Sequence, residues 1–199
     1  MRRVEHWNHN THYYPLVLAA APDPCARALD VGCGDGLLVR ALASRCAAVT
    51  GLDRSAEMVD QARMLCAGLP NTDFVAADLL AADLPDGGFD LVASVAAIHH
   101  LDFAAGLRRM ATLLRPGGVL VVVGLANNGS LADRVISLAG VPTHQVLRLR
   151  HGYWAHGSPL ADPDLTWGQV RTAARRLLPG VRWRRHLLWR YSLTWTKPA

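Results

Sequence analysis

The segment Ala28-Leu29-Asp30-Val31-Gly32-Cys33-Gly34-Asp35-Gly36 constrains this chain more than any other. A short apolar strand runs straight into three glycines at alternate positions. Leu37, Leu38, Ala41 and Leu42 then recur at helical spacing, which predicts a helix to about Arg45. Such a turn keeps side chains out of the way, so a ligand can approach bare backbone. The N–H groups that open the helix can then meet its polar or anionic groups. The spacing also discriminates between ligands. A dinucleotide fingerprint places its third glycine one position later, where Leu37 stands.

The rest of the chain repeats the alternation of strand and helix, which predicts a parallel α/β sheet. Ala48–Leu52 reads as a second strand ending at Asp53. Ser55 caps the next helix, whose apolar face is Met58, Val59, Ala62, Leu65 and Cys66. Phe74–Ala77 ends a third strand at Asp78, and Phe89–Val95 forms a fourth. Asp102 caps a helix stopped by Pro116-Gly117-Gly118, and Val119–Val123 is apolar throughout, as a strand buried on both faces requires. Ser130 to Gly140 reads as a helix, whereas His144 to Pro159 has no clear period. Trp167, Val170, Ala174 and Leu177 mark a last helix. Val181–Trp189 and Tyr191–Thr196 are joined too tightly for a crossover and should pair antiparallel. One domain over residues 1–199 is expected, with 1–24 as an amino-terminal arm and 125–165 as an insert.

Composition narrows the setting. The 199 residues are 51% hydrophobic, enough for one sizeable core. The net charge of +5 owes much to Arg171, Arg175, Arg176, Arg182, Arg184, Arg185 and Arg190, read as a solvated basic face. Cys25, Cys33, Cys46 and Cys66 form no CxxC pair, so neither a disulfide framework nor a zinc knuckle is expected, and reduced thiols in a cytoplasmic protein are the simplest account. The polar stretch after Met1-Arg2-Arg3 argues against a secretion signal. No apolar run approaches the roughly 20 residues of a membrane span, so no membrane partner is expected.

In a parallel sheet, ligands sit outside the carboxyl ends of the strands. Asp30, Asp53, Asp78 and Ser94 all fall there. Asp53 stands where an acid can accept both ribose hydroxyls of a nucleoside, and Asp78 where one can accept from an exocyclic adenine amine.

Five ordered segments carry a family likeness: Asp30–Gly36, Gly51-Leu52-Asp53, Ala77-Asp78-Leu79, Phe89–Val92 and Leu114–Gly118. Through them the chain resembles the class I S-adenosylmethionine-dependent methyltransferases of the small-molecule "type 11" group. The resemblance implies a Rossmann-like seven-stranded sheet of order 3-2-1-4-5-7-6, its last hairpin strand antiparallel. It implies S-adenosylmethionine as cofactor, S-adenosylhomocysteine as product, and a small organic acceptor methylated at O, N or C. Gly32, Cys33 and Gly34 should then pack against the methionine portion, with Asp30 reaching its ammonium. Asp53 and its neighbour Arg54 belong to the ribose side, Met58, Asp78 and Leu79 to the adenine, and Ser94 to the sulfonium.

The sulfonium is an activated donor, so the protein's share is alignment, exclusion of water and, for a protonated acceptor, a base. His99 and His100 follow the fourth strand and face the expected transfer zone; His99 is the pocket-facing candidate, His100 a brace beside Asp102. The arm Trp7-Asn8-His9-Asn10-Thr11-His12-Tyr13-Tyr14 offers an acceptor wall or lid, through His12, Tyr13 and Tyr14 above all, and the insert offers Tyr153, Trp154 and His156. His6, His9 and His12 recur every three residues but lack a carboxylate or cysteine to complete a metal set. Ser94 stands where metal-dependent catechol methyltransferases would carry a metal-binding carboxylate, so no metal is expected. No Asn/Asp-Pro-Pro-Tyr/Phe or Pro-Cys motif follows the fourth strand, which argues against methylation of amides, base amines or pyrimidine carbon. Two other functions remain open at this stage. One is an RNA methyltransferase gripping phosphates through the late arginines, although nucleic acid is the weaker reading; the other is a non-catalytic S-adenosylmethionine-binding partner.

Overall fold

The computed structural model describes residues 7–154 and 162–199. The arm forms a 3₁₀ turn, Thr11–Tyr13, and α1 (Tyr14–Ala20). The first half then alternates β1 (Arg27–Val31), α2 (Leu37–Leu42), β2 (Ala48–Asp53), α3 (Ala56–Leu65), β3 (Thr72–Ala76) and β4 (Phe89–Val95). A 3₁₀ turn, Ile98–His100, precedes α4 (Phe103–Leu113) and β5 (Leu114–Gly124). The chain ends with α5 (Leu131–His151), α6 (Trp167–Leu177), β6 (Arg182–His186) and β7 (Arg190–Thr196).

The seven strands form one sheet in the order β3-β2-β1-β4-β5-β7-β6. β1 to β5 are parallel, and β7 runs antiparallel to both β5 and β6. This is the Rossmann-like topology expected from the sequence. Both faces of the central strands are covered, which is why they read as unbroken apolar runs. Leu107 and Met110 of α4 and Val170 and Ala174 of α6 close one face. Val17 of α1, Leu38 and Leu42 of α2, and Val59 of α3 close the other. The predicted caps form: Ser55 accepts from Met58 N, Asp102 from Ala105 N, and Ser130 from Asp133 N.

Several local readings are corrected. α2 stops at Leu42, one turn short of Arg45. Pro116-Gly117-Gly118 lies within β5, where the Gly117 and Lys197 N–H groups donate to the Lys197 and Gly118 carbonyls. α5 does not end at Gly140 but continues through Pro142 to His151. Tertiary contacts override the helix breaker there. Gly140 is buried where a Cβ would run into the Leu187 carbonyl, Trp189 Nε1 donates to the Ser137 carbonyl at 3.0 Å, and Arg185 pairs with Asp133 at 2.5 Å. The cysteine reading is corrected as well. Cys25 and Cys46 are joined as a disulfide with their Cα atoms 4.7 Å apart, while Cys33 and Cys66 are free and buried. The cause is register: Arg27 pairs with Ala48, so the residues two places earlier meet where both strands begin. No helix among the described residues is long and apolar enough to cross a membrane.

Candidate active site

The carboxyl ends of β1, β2 and β4 open onto a cavity of about 360 Å³. Its floor is the glycine turn. Gly32, Gly34 and Gly36 all have positive φ, at +74°, +52° and +85°, a region that L side chains rarely enter. A Cβ on Gly32 would also overlap the Ala97 methyl, and one on Gly36 would come within 2.8 Å of the Ala62 methyl. The turn is therefore glycine for two independent reasons.

Asp53 ties this floor to the end of β2. Its Oδ2 accepts from Gly34 N and its Oδ1 from Ser55 N, each at 2.9 Å. Lone pairs remain on both oxygens, and the residue lines the cavity with Arg54 and Met58. A side cavity of about 80 Å³ shares Gly32, Asp53 and Arg54 and adds Asp78 and Leu79. Asp30 lies beneath the turn, only 2% exposed. Burial, then Asp53 and Asp35, push its carboxyl up to about 8. Ser94 is fully buried with an unpartnered Oγ, one residue before the cavity-lining Val95.

The opposite wall comes from the arm, from the residues just after α5 and from the segment after β4. The arm is anchored by Trp7, whose indole stacks on His144 and His151 of α5 and meets His9 and His12 edge-on. His9 Nε2 and His144 Nδ1 share a hydrogen bond at 2.9 Å, and Trp154 N donates to the Trp7 carbonyl. Tyr14, Tyr153 and Trp154 line the cavity. His12 and Tyr13 do not: His12 packs on Trp7, and Tyr13 is buried with Trp7, Val123 and Leu188. His6 and His156 lie outside the described residues.

His99 lines this cavity and also a neighbouring apolar one of about 280 Å³, bounded by Leu101, Phe103, Val170 and Tyr191. Its Nδ1 is buried without a partner. Burial, then His100 and Arg190, lower its pKa to about 4, so the imidazole is neutral at pH 7 with a lone pair to offer. The His100 ring lies against that of His99, centroids 4.2 Å apart, and lines both the main and the side cavity; burial, then Arg54, lowers its pKa. Its expected partner Asp102 is engaged instead with Ala105 N. Among the described residues no three His, Cys, Asp or Glu side chains converge as metal ligands.

Three participants escape the sequence. Ala97, just after β4, presses against Gly32 of the turn, and Ala96, at φ +55°, lines the cavity beside it, a placement set by topology. Arg190, grouped by sequence with the surface arginines, is buried in the cavity wall.

The floor fits an adenosyl sulfonium. It offers bare backbone where a Cβ would collide, an acid with free lone pairs at the end of β2, and a buried carboxyl whose raised pKa a cation would relieve. Fold and site together define a class I methyltransferase. The comparisons agree: residues 29–122 match the methyltransferase-domain family. A relative in Mycobacterium tuberculosis, named only as an uncharacterized methyltransferase, is 38% identical over 97% of this chain and 98% of its own length. A ubiquinone biosynthesis O-methyltransferase of Xanthomonas campestris is 34% identical over 81% of this chain and 67% of its own. The N-methyltransferase NodS of Bradyrhizobium japonicum superposes with a TM-score of 0.62 at 17% identity, covering 95% and 96% of the two chains; at that identity it speaks for the fold alone. The chain belongs to the S-adenosylmethionine-dependent methyltransferases, in the group that acts on small molecules.

Proposed function

We propose that the acceptor is a small organic molecule held between the glycine turn, the arm and His99, and that an O, N or C atom of it takes the methyl group. The observation that carries this reading is the continuity of the cavity. Space runs from the acids of the turn, past Ala96 and Ala97, to a wall made of Tyr14, His99, Tyr153 and Trp154. The bound cofactor supplies an electrophilic methyl on a sulfonium. Asp53 holds the ribose, and Asp78 and Leu79 border the adenine. Asp30 balances the ammonium, and Ser94 supports the chain beside the sulfur. The arm and Trp154 keep water out and align the acceptor atom, a contribution of roughly 7–11 kcal/mol where alignment is complete.

His99 takes the acceptor's proton. A base with a pKa near 4 does nothing for an amine acceptor, whose methylated ammonium keeps its proton, and it is weak toward a ground-state hydroxyl; but a hydroxyl oxygen becomes a strongly acidic oxonium as it gains the methyl group. Transfer to a neutral imidazole is then downhill late in the step. His99→Ala should lower kcat by about 10²–10⁴-fold, the usual weight of a positioned acid–base group, while S-adenosylhomocysteine affinity stays within a factor of two or so. Unchanged kcat across pH would remove His99 from the chemistry.

A further inference from the structure

Arg190 opens β7, yet it does not share the basic surface formed by its neighbours in sequence. It is 8% exposed and lines the main cavity. Its hydrogen bonds go to neutral oxygens: Nη2 donates to Asn10 Oδ1 at 2.8 Å, and Nη1 to the Trp189 carbonyl at 3.2 Å. Nε is buried with no partner. A guanidinium has five N–H donors, so the protein leaves most of them unused. Among the described residues the ion pairs of Arg63, Arg109, Arg115 and Arg185 each have a carboxylate, and Arg190 has none.

A buried cation without counter-charge is costly, and a fold keeps one where something else supplies the charge. Burial lowers this guanidinium only to about 10, so it is charged at neutral pH. The backbone is strained to place it. Trp189, immediately before it, has φ +54°, and the other non-glycine residue with positive φ among the described residues, Ala96, lines the same cavity. Charge is also segregated along the cavity. Asp30, Asp35 and Asp53 surround the turn, with Arg54 beside Asp53, and leave the turn net acidic where a cationic sulfonium and ammonium belong. On the arm side His9 and His99 are neutral at pH 7, with pKa values of about 4, and the remaining described lining is Asn, Thr, Tyr, Trp and Leu. Arg190 is the charged group of that wall.

We propose that the methyl acceptor carries a carboxylate that pairs with Arg190, between the arm and Tyr153 and beside His99. The proposal rests on the methyl-transfer reading and adds its substrate class. One guanidinium matches one negative charge in a two-toothed geometry. Among the described residues the other cation of the cavity, Arg54, stands at the turn beside Asp53, so a phosphate dianion on the arm side would be left half-neutralised.

The test uses the full chain saturated with S-adenosylhomocysteine, titrated calorimetrically with benzoate, its uncharged isostere benzamide, and phenyl phosphate; the ring suits the Tyr14, Tyr153 and Trp154 lining. Benzoate should bind at least about tenfold more tightly than benzamide, as a charged hydrogen-bonded pair requires. Arg190→Gln should erase that preference, Arg190→Lys should keep part of it, and neither should move the product's affinity. Equal binding of benzoate and benzamide by the wild type, or absence of binding by both, overturns the proposal without recourse to any variant. So does a preference that survives Arg190→Gln, and tighter binding of phenyl phosphate would reassign the wall to phosphates. If S-adenosylhomocysteine itself failed to bind, the methyl-transfer reading would fall; if it bound and the anions showed no preference, only the carboxylate would.

Discussion

Asp53 combines two tasks that are usually separated. It braces the glycine turn through Gly34 and Ser55, and it presents oxygens to the cavity. Asp53→Ala therefore removes an acceptor from two backbone donors as well as from the ribose. Calorimetry should show S-adenosylhomocysteine affinity reduced by about 1–3 kcal/mol, the cost of leaving such donors unmet. An unchanged dissociation constant would reassign the ribose contact. The histidines of the cavity set a pH dependence. His99 is held at about 4 in the fold against about 6.5 in the unfolded chain, so the unfolded state binds the extra proton between those values. The stability this contributes is complete above about pH 6.5 and is lost as the pH falls toward 4. In denaturant titrations, wild type should lose midpoint relative to His99→Gln across that window; parallel curves would mean that His99 is not desolvated.

At the scale of elements, the arm and the distal half of α5 form one unit around Trp7, which is 3% exposed. Trp7→Ala removes the ring on which His144 and His151 stack. A buried Trp→Ala change costs about 3–5 kcal/mol when the whole fold feels it, but a peripheral unit can open on its own for less. Hydrogen exchange should quicken over residues 8–20 and 141–154 while β1 and β4 stay protected. Equal acceleration in β1 and β4 would show that the arm is no separate unit. This boundary also divides what the sequence made legible from what it did not. β2 and β4 span the residues read from pattern alone, because buried parallel strands and their capped helices obey local rules. The same holds for the acids and glycines at the strand ends, whose positions follow from the turn. α5 past Gly140 was not legible, since Pro142 reads as a stop and what holds the helix is remote: Leu187, Trp189 and Arg185. Arg190 was hidden for a similar reason. Nothing in a run of seven late arginines and a lysine-poor hairpin marks which guanidinium turns inward; only the pairing of β7 with β5 and the closure of the arm through Asn10 do so. The Cys25–Cys46 pair was legible in principle, from the equal distance of both residues to paired strand positions.

For the molecule as a whole, the account makes the sheet's carboxyl edge a charge-sorted trough. Acids cradle a cationic nucleoside on one side, and a neutral, aromatic wall with one buried guanidinium faces it. Asp30 gives that picture its most direct readout, because burial, then Asp53 and Asp35, hold its carboxyl at about 8 and it must ionise to meet an ammonium. S-adenosylhomocysteine should be titrated into the protein at pH 7 in buffers of different ionisation enthalpy. The account predicts saturable binding of one equivalent with net proton release, and loss of that release in Asp30→Asn. The absence of any binding heat and of any thermal shift with this ligand would contradict it.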